Sequence, residues 1–220
     1  MKDWTLAAAL NNARWCDAVC RAHGTPGRFL PPIWVNAETV PRFYPNAVTL
    51  AVGEEALEEQ RSAIDIMLKS HLPGRWSVKD SFSTLDLSRR GFDVLFEAQW
   101  IRGTMPAGGP STDIVWTRET EATSPLPFDD PNFAMFAGRR GYRVVAGGML
   151  YRAEGVVGLS NVVAEAADAG AVWRSLILLA SQTFPRLPLV GYESGQELDA
   201  AVAAGFEAGD PLRVWVTARE

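Results

Sequence analysis

Apolar residues recur at helical spacing over 4–21, at Leu6, Leu10, Ala13, Cys16, Ala18 and Cys20, with Gly24 beyond them, which predicts a first helix. A second is expected over 54–72. There Leu57, Ile64, Met67 and Leu68 make the stripe, and Glu54, Glu55, Glu58 and Glu59 put negative charge at the positive helix end. Between the two, prolines at 26, 31, 32, 41 and 45 predict irregular or extended chain, with only 47–52 reading as a strand. WSVKDSF alternates as a strand, SFSTLDLSRRGF suggests a short helix ending at Gly91, and 93–101 reads as another strand.

From Asn132 the pattern tightens. NFAMFAG, YRVVAGGMLYRA and VVGLSNVVA read as three strands joined by short turns, an antiparallel meander. A helix is expected over 168–184, apolar on most of its circumference and hence packed on more than one side. LVGYE at 189–193 is a buried strand, and SGQE has the form of a capping box in which Ser194 and Glu197 each satisfy a helix N–H. A helix closing on Gly205 and a last strand at 211–216 complete the chain.

The segment 103–112 has three glycines and two prolines and no large aliphatic except Met105, so it reads as a linker between a region at 1–102 and a domain at 113–220. At 220 residues and 47% hydrophobic, the chain can bury a sizeable core. A net charge of -5, without a basic run, argues against nucleic acid and anionic membranes as partners. No stretch approaches a membrane span or a secretory signal, so a cytoplasmic location is expected. Cys16, Cys20 and His23 could share a helix face, but without a second cluster they read as thiols in a reducing compartment and not as a metal site; His23 and His71 read as surface or satisfied side chains.

The order from Asn132 onward, carried by RVVAGGMLY, VVGLSNVVAEAADAG, LVGYE and AVAAGFEAGDPLRVWV, resembles the acyl-CoA N-acyltransferase (GNAT) superfamily over 113–216. The resemblance implies an α+β fold, a mixed and mostly antiparallel sheet flanked by helices. LSRRGFDVLFEAQWI echoes the closing AVAAGFEAGDPLRVWV, and WSVKDSF stands where LVGYE stands, so the N-terminal region resembles a partial tandem copy. The family's logic implies acetyl-CoA or another acyl-CoA as cofactor and a small-molecule or peptide amine as acceptor. The pantetheine arm would lie along Val162 and Val163, and the pyrophosphate on the loop 167–172, chiefly Ala169, Gly170, Ala171 and Val172.

The loop departs from the family motif. Ala167 stands for an Arg or Gln, Val172 for a small residue, and Asp168 reads as a helix cap that would occupy the donors an anion needs. Arg174, and Arg139 or Arg140 if they reach, could compensate. No catalytic residue is assigned, since Ala201 and Ser194 stand where the family often has Tyr and Asn. Glu193 is the best-placed carboxylate for binding the acceptor amine or acting as base, and Tyr192 or Tyr151 could donate a proton. The alternative is a GNAT-fold protein that has lost acyl-CoA and serves as a ligand-binding or interaction module; an unrelated α+β fold is the third possibility.

Overall fold

A computed structural model of the chain describes residues 1–70, 74–103 and 112–218. Four α-helices and eleven strands follow in the order α1 (Thr5–Ala22), β1 (Arg28–Leu30), β2 (Ile33–Val35), β3 (Ala47–Thr49), α2 (Glu54–Lys69), β4 (Ser77–Asp80), β5 (Phe92–Gly103), β6 (Val115–Glu119), β7 (Phe133–Arg140), β8 (Arg143–Ala153), β9 (Val156–Ala164), α3 (Ala169–Thr183), β10 (Leu189–Glu193), α4 (Gly195–Ala203) and β11 (Phe206–Thr217). His71 and most of the expected linker lie outside the described residues.

All strands join one sheet in the order β1-β2-β3-β4-β11-β5-β10-β9-β8-β7-β6. Only β3 with β4 and β9 with β10 run parallel. Ala98 of β5 pairs with Leu212 of β11 at the centre, and outward from this pair the order is the same in both directions. On one side β5 meets β10, β9, β8 and β7, with β6 beyond them as an extra strand; on the other β11 meets β4, β3, β2 and β1. Phe92 and Phe206, which open the two central strands, each follow a glycine at positive φ, 78° at Gly91 and 108° at Gly205.

Alternation along the strands sets two faces. Trp100, Val156, Val190 and Leu212 pack with Trp4, just before α1, and with Ala8 and Ala9 of α1, whereas Ile101, Val157, Leu159 and Leu189 pack with Val172, Trp173 and Leu176 of α3. The α2 residues Ile64 and Met67 share the second face with Val78 and Trp215. Among the described helices α1 thus lies on one side and α2, α3 and α4 on the other. Period-two burial is what lets one sheet serve both layers.

Several local expectations are corrected. The proline-rich segment supplies β1 and β2, joined through Pro31 and Pro32; proline is tolerated there because these are short strands at the sheet margin. Over 81–91 only Ser88–Arg90 is helical, as a 3-10 turn. The Asp80 carboxylate accepts the Leu85 N–H at 2.7 Å and Asp86 accepts that of Ser88 at 3.0 Å, side-chain bonds that compete with an α-helix. Ser194 makes no side-chain cap bond; Gly195 follows it at φ 55°, and this left-handed entry leaves the capping box unformed.

Helix α1 is tied to the sheet by Asn11, whose side-chain amide donates to the carbonyls of Tyr151 at 2.9 Å and Ala153 at 3.2 Å. A Cβ on Gly158 would collide with the Asn11 Oδ1. Gly158→Ala should therefore cost roughly 1–3 kcal/mol, read as a lowered denaturant midpoint with unchanged slope; an unchanged midpoint would show that Asn11 moves aside freely.

Candidate functional site

The parallel pair β9·β10 is short. Leu189 pairs with Val157 and Val190 with Gly158; beyond them β10 follows β5 while β9 follows β8. The divergence is sharpened in β9, where Asn161 and Val162 together face Gly148, an extra residue between the pairs Met149/Ser160 and Gly147/Val163. Asn161 takes φ 53° at this bulge, a left-handed conformation asparagine tolerates better than most residues. The result is a hollow of about 260 Å³ between Ser160, Asn161 and Val162 on one side and Tyr192 and Glu193 on the other, with Trp15 of α1 beside it.

Glu193 sits half-buried in this gap with no hydrogen bond or ion pair among the described residues. Burial, and secondarily the charge of Glu197, push its carboxyl up to about 7 from 4.5. Tyr192 points to the α1 side. Its hydroxyl accepts a hydrogen bond from the Lys79 ammonium at 3.0 Å, and its ring stands edge-on to Trp100 at 5.6 Å.

At the other end of the gap α3 begins. Asp168 does not cap it: its backbone is helical, φ -105° and ψ -7°, and its carboxylate makes no cap bond. Side-chain capping needs an extended residue, and the carboxylate instead accepts from Arg140 at 3.0 Å. Arg140 also forms two bonds to Asp113, at 2.7 and 2.9 Å, and Arg143 pairs with Glu165 at 2.9 Å. Arg139 pairs with Glu119 and takes no part.

The other departures in this loop also read differently in three dimensions. The Val172 side chain is fully buried at 0% exposure and packs beneath α3, so it does not block the backbone above. Ala169, Gly170 and Ala171 are half-buried in the first turn. A Cβ on Gly170 would meet only the Arg174 guanidinium, at 3.6 and 3.8 Å, and Arg174 has no ion-pair partner among the described residues. A 3-10 turn at Ala166–Asp168 leads into α3, itself without a side-chain cap bond; this uncapped start, an unobstructed glycine and an unpaired guanidinium over it suit a phosphate group. Val162 packs partly against the α3 core, while Val163 is 60% exposed along the diverging edge.

Of the other candidates, Tyr151, His23 and Cys20 are not brought here, whereas Cys16 lines the gap. The Tyr151 hydroxyl donates to Asp130 at 3.0 Å and its ring tilts against Trp15 at 5.5 Å. His23 meets Ser124 at 3.4 Å. Cys16 and Cys20 are free and buried, and burial pushes the Cys16 thiol up to about 11. Among the described residues no group of His, Cys, Asp or Glu is arranged to hold a metal, and no helix is long and apolar enough to cross a membrane.

Sequence reasoning missed the continuation of the gap. Arg42, Phe43 and Tyr44, from the proline-rich loop before β3, line both the gap and an adjoining trough of about 630 Å³ floored by Phe96, Val214 and Val216. Lys79 lines both as well. The one signal pointing to it was the alignment of WSVKDSF with LVGYE; nothing in the loop's composition marked its role.

No protein-family model matches the chain, and no curated protein matches it. Solved structures do. A GCN5-related N-acetyltransferase from Kribbella flavida superposes with a TM-score of 0.62 at 14% identity, covering 96% of this chain and 95% of that one. A GNAT-family protein from Novosphingobium aromaticivorans gives 0.52 at 11% identity, covering 93% and 98%. A tandem GNAT protein from the clavulanic acid biosynthesis pathway gives 0.50 at 10% identity, covering 98% and 95%.

Proposed function

We propose that this chain, which has the GNAT fold, transfers an acyl group from acyl-CoA to the amine of a small molecule or peptide. The observation that carries the reading is the bulged gap between β9 and β10, with an uncapped helix start at one end and a half-buried carboxylate at the other. Bound acyl-CoA supplies the activated acyl carbon and a thiolate leaving group. The unpaired edge at Val162 and Val163 would hold its pantetheine arm, and the first-turn backbone at Ala169, Gly170, Ala171 and Val172, with Arg174, its pyrophosphate.

The chain's own groups then have separable tasks. Glu193, with its carboxyl near 7, is matched to taking a proton from an ammonium near neutral pH. Asn161 and Val162 line the gap, and a backbone N–H of their bulge would polarise the thioester carbonyl. The Tyr192 oxygen accepts from Lys79, which leaves its own O–H to protonate the departing sulfur.

We further read the two ends of the sheet as tandem copies of one unit whose last strands, β5 and β11, are exchanged. The repeated strand order, the paired Gly-Phe entries and the central Ala98/Leu212 pair support this. At the corresponding place in the N-terminal half the parallel ladder is also two pairs long, Ala47 with Val78 and Val48 with Lys79, but there the Thr49 hydroxyl accepts the Ser81 N–H at 2.8 Å and bridges the strands beyond them.

The competing module reading rests on Ala167, which leaves the loop without a basic or amide side chain. Saturating acetyl-CoA separates the two. At about 100 times Kd it should stabilise the protein by about 2.7 kcal/mol, roughly 5–10 °C in Tm for a chain of this size. Arg174→Ala should weaken that binding roughly 10-fold through loss of a charge-assisted contact. No shift with acetyl-, propionyl- or longer acyl-CoA would sink the transferase reading in favour of the module.

A further inference from the structure

Lys79 is only 4% exposed, yet it forms no ion pair among the described residues. Its ammonium donates to the Asn12 Oδ1 at 2.8 Å and the Tyr192 hydroxyl at 3.0 Å, both neutral, and it lies 4.2 Å from the centre of the Tyr192 ring. Asp80, next in sequence, points away and accepts the Leu85 and Phe82 N–H groups. The neighbouring Cys16 is a neutral thiol at ordinary pH. Burying a charge without a counter-ion is costly, and an ammonium has three donors, of which two are used.

The surroundings repeat the imbalance. Arg42 and Arg75 also line the trough. Arg42 stacks over the Phe43 ring at 4.6 Å and Arg75 donates to the Thr217 carbonyl at 3.2 Å; neither has a carboxylate partner among the described residues. Glu193 is the one acid among the described residues lining the gap and trough; it shares the gap with Lys79 and Arg42 but forms no ion pair with either. The trough floor is apolar, with Leu95 and Phe96 exposed into it. Phe43 holds φ 73° at the rim, 87% exposed, the kind of strained conformation that clusters at ligand sites.

We infer that the trough binds an amine carrying a carboxylate and an apolar body, such as an amino acid with a large apolar side chain, with Lys79 as the anchor for the carboxylate. The amine points toward Glu193 and the apolar body covers Phe96 and Val214. This assignment of acceptor class rests on the transferase reading for its chemistry, but the binding it describes does not.

The test therefore measures binding and turnover separately. Calorimetry with L-phenylalanine, its amide and phenethylamine, without acyl-CoA, should rank the carboxylate-bearing compound at least 10-fold tighter. Lys79→Met should erase that preference while Lys79→Arg retains part of it, each variant being checked for native melting. Acetylation with acetyl-CoA should follow the same ranking. Equal affinity for the three compounds, no binding of phenylalanine, tryptophan or leucine, or a preference unchanged in Lys79→Met would each overturn the inference. Lys79-dependent binding of phenylalanine without any response to acyl-CoA would uphold the carboxylate site and refute the transferase reading.

Discussion

Glu193→Gln should abolish most acyl transfer and, above neutral pH, make the fold more stable. The carboxyl is held near 7 by burial and by Glu197, so it accepts protons over the range in which an enzyme at neutral pH needs a base. Losing a positioned base costs roughly 100-fold or more in kcat/KM. The wild-type limb that rises through about pH 7 should vanish in the variant, while acyl-CoA binding persists. A Gln variant with wild-type rate and pH profile would remove Glu193 from the chemistry.

The stability effect has the opposite sign because the group is destabilising when ionised. Below its solution value of 4.5 the carboxyl is protonated in both folded and unfolded chains. Between 4.5 and about 7 the unfolded chain releases the proton and the folded chain keeps it, so the stability Glu193 contributes is lost as pH rises through that window. Gln has no proton to lose. The variant's advantage in urea melts should therefore grow from pH 4.5 to 7 and then level off; parallel curves for the two proteins would contradict it. Removing a strained functional group commonly stabilises a fold in this way.

Trp173→Ala should be the most destabilising single truncation near the site. The side chain is 1% exposed and stands edge-on to Phe206 at 5.2 Å, joining α3 to the start of β11. Its indole N–H has no hydrogen-bond partner, so what is lost is packing alone. A large aromatic removed from a core leaves a cavity worth about 3–5 kcal/mol, roughly 10 °C in Tm. Since α3 carries Gly170 and Arg174 at the gap, acyl-CoA affinity should fall with it. Trp173→Phe should recover most of both, and a small loss in the Ala variant would mean that α3 collapses onto the sheet.

The meander, α3, β10 and the Gly-Phe entry to the last strand were legible because each rests on local periodicity or punctuation. The short strands at the margin were not, because Pro31 and Pro32 signal breaks whether or not a neighbour supplies hydrogen bonds. Asp168 shows the limit most clearly. Its residue type and position favour a cap, and only the approach of Arg140, 28 residues away in sequence, draws the carboxylate aside. Val172 is similar: the helical phase that turns it into the core is set by packing against the sheet.

What the sequence determined by itself is most of the amphipathic elements and their order, since hydrophobic period and turn chemistry act over a few residues. What tertiary structure alone decided is the candidate site those elements form. The gap exists because β9 bulges at Asn161 and leaves β10, and the trough exists because β5 and β11 pair across the chain and carry Lys79 and Tyr192 to one face. Burial and unpaired charge arise only when distant segments exclude water together, and that cooperation has no signature in any single stretch of chain.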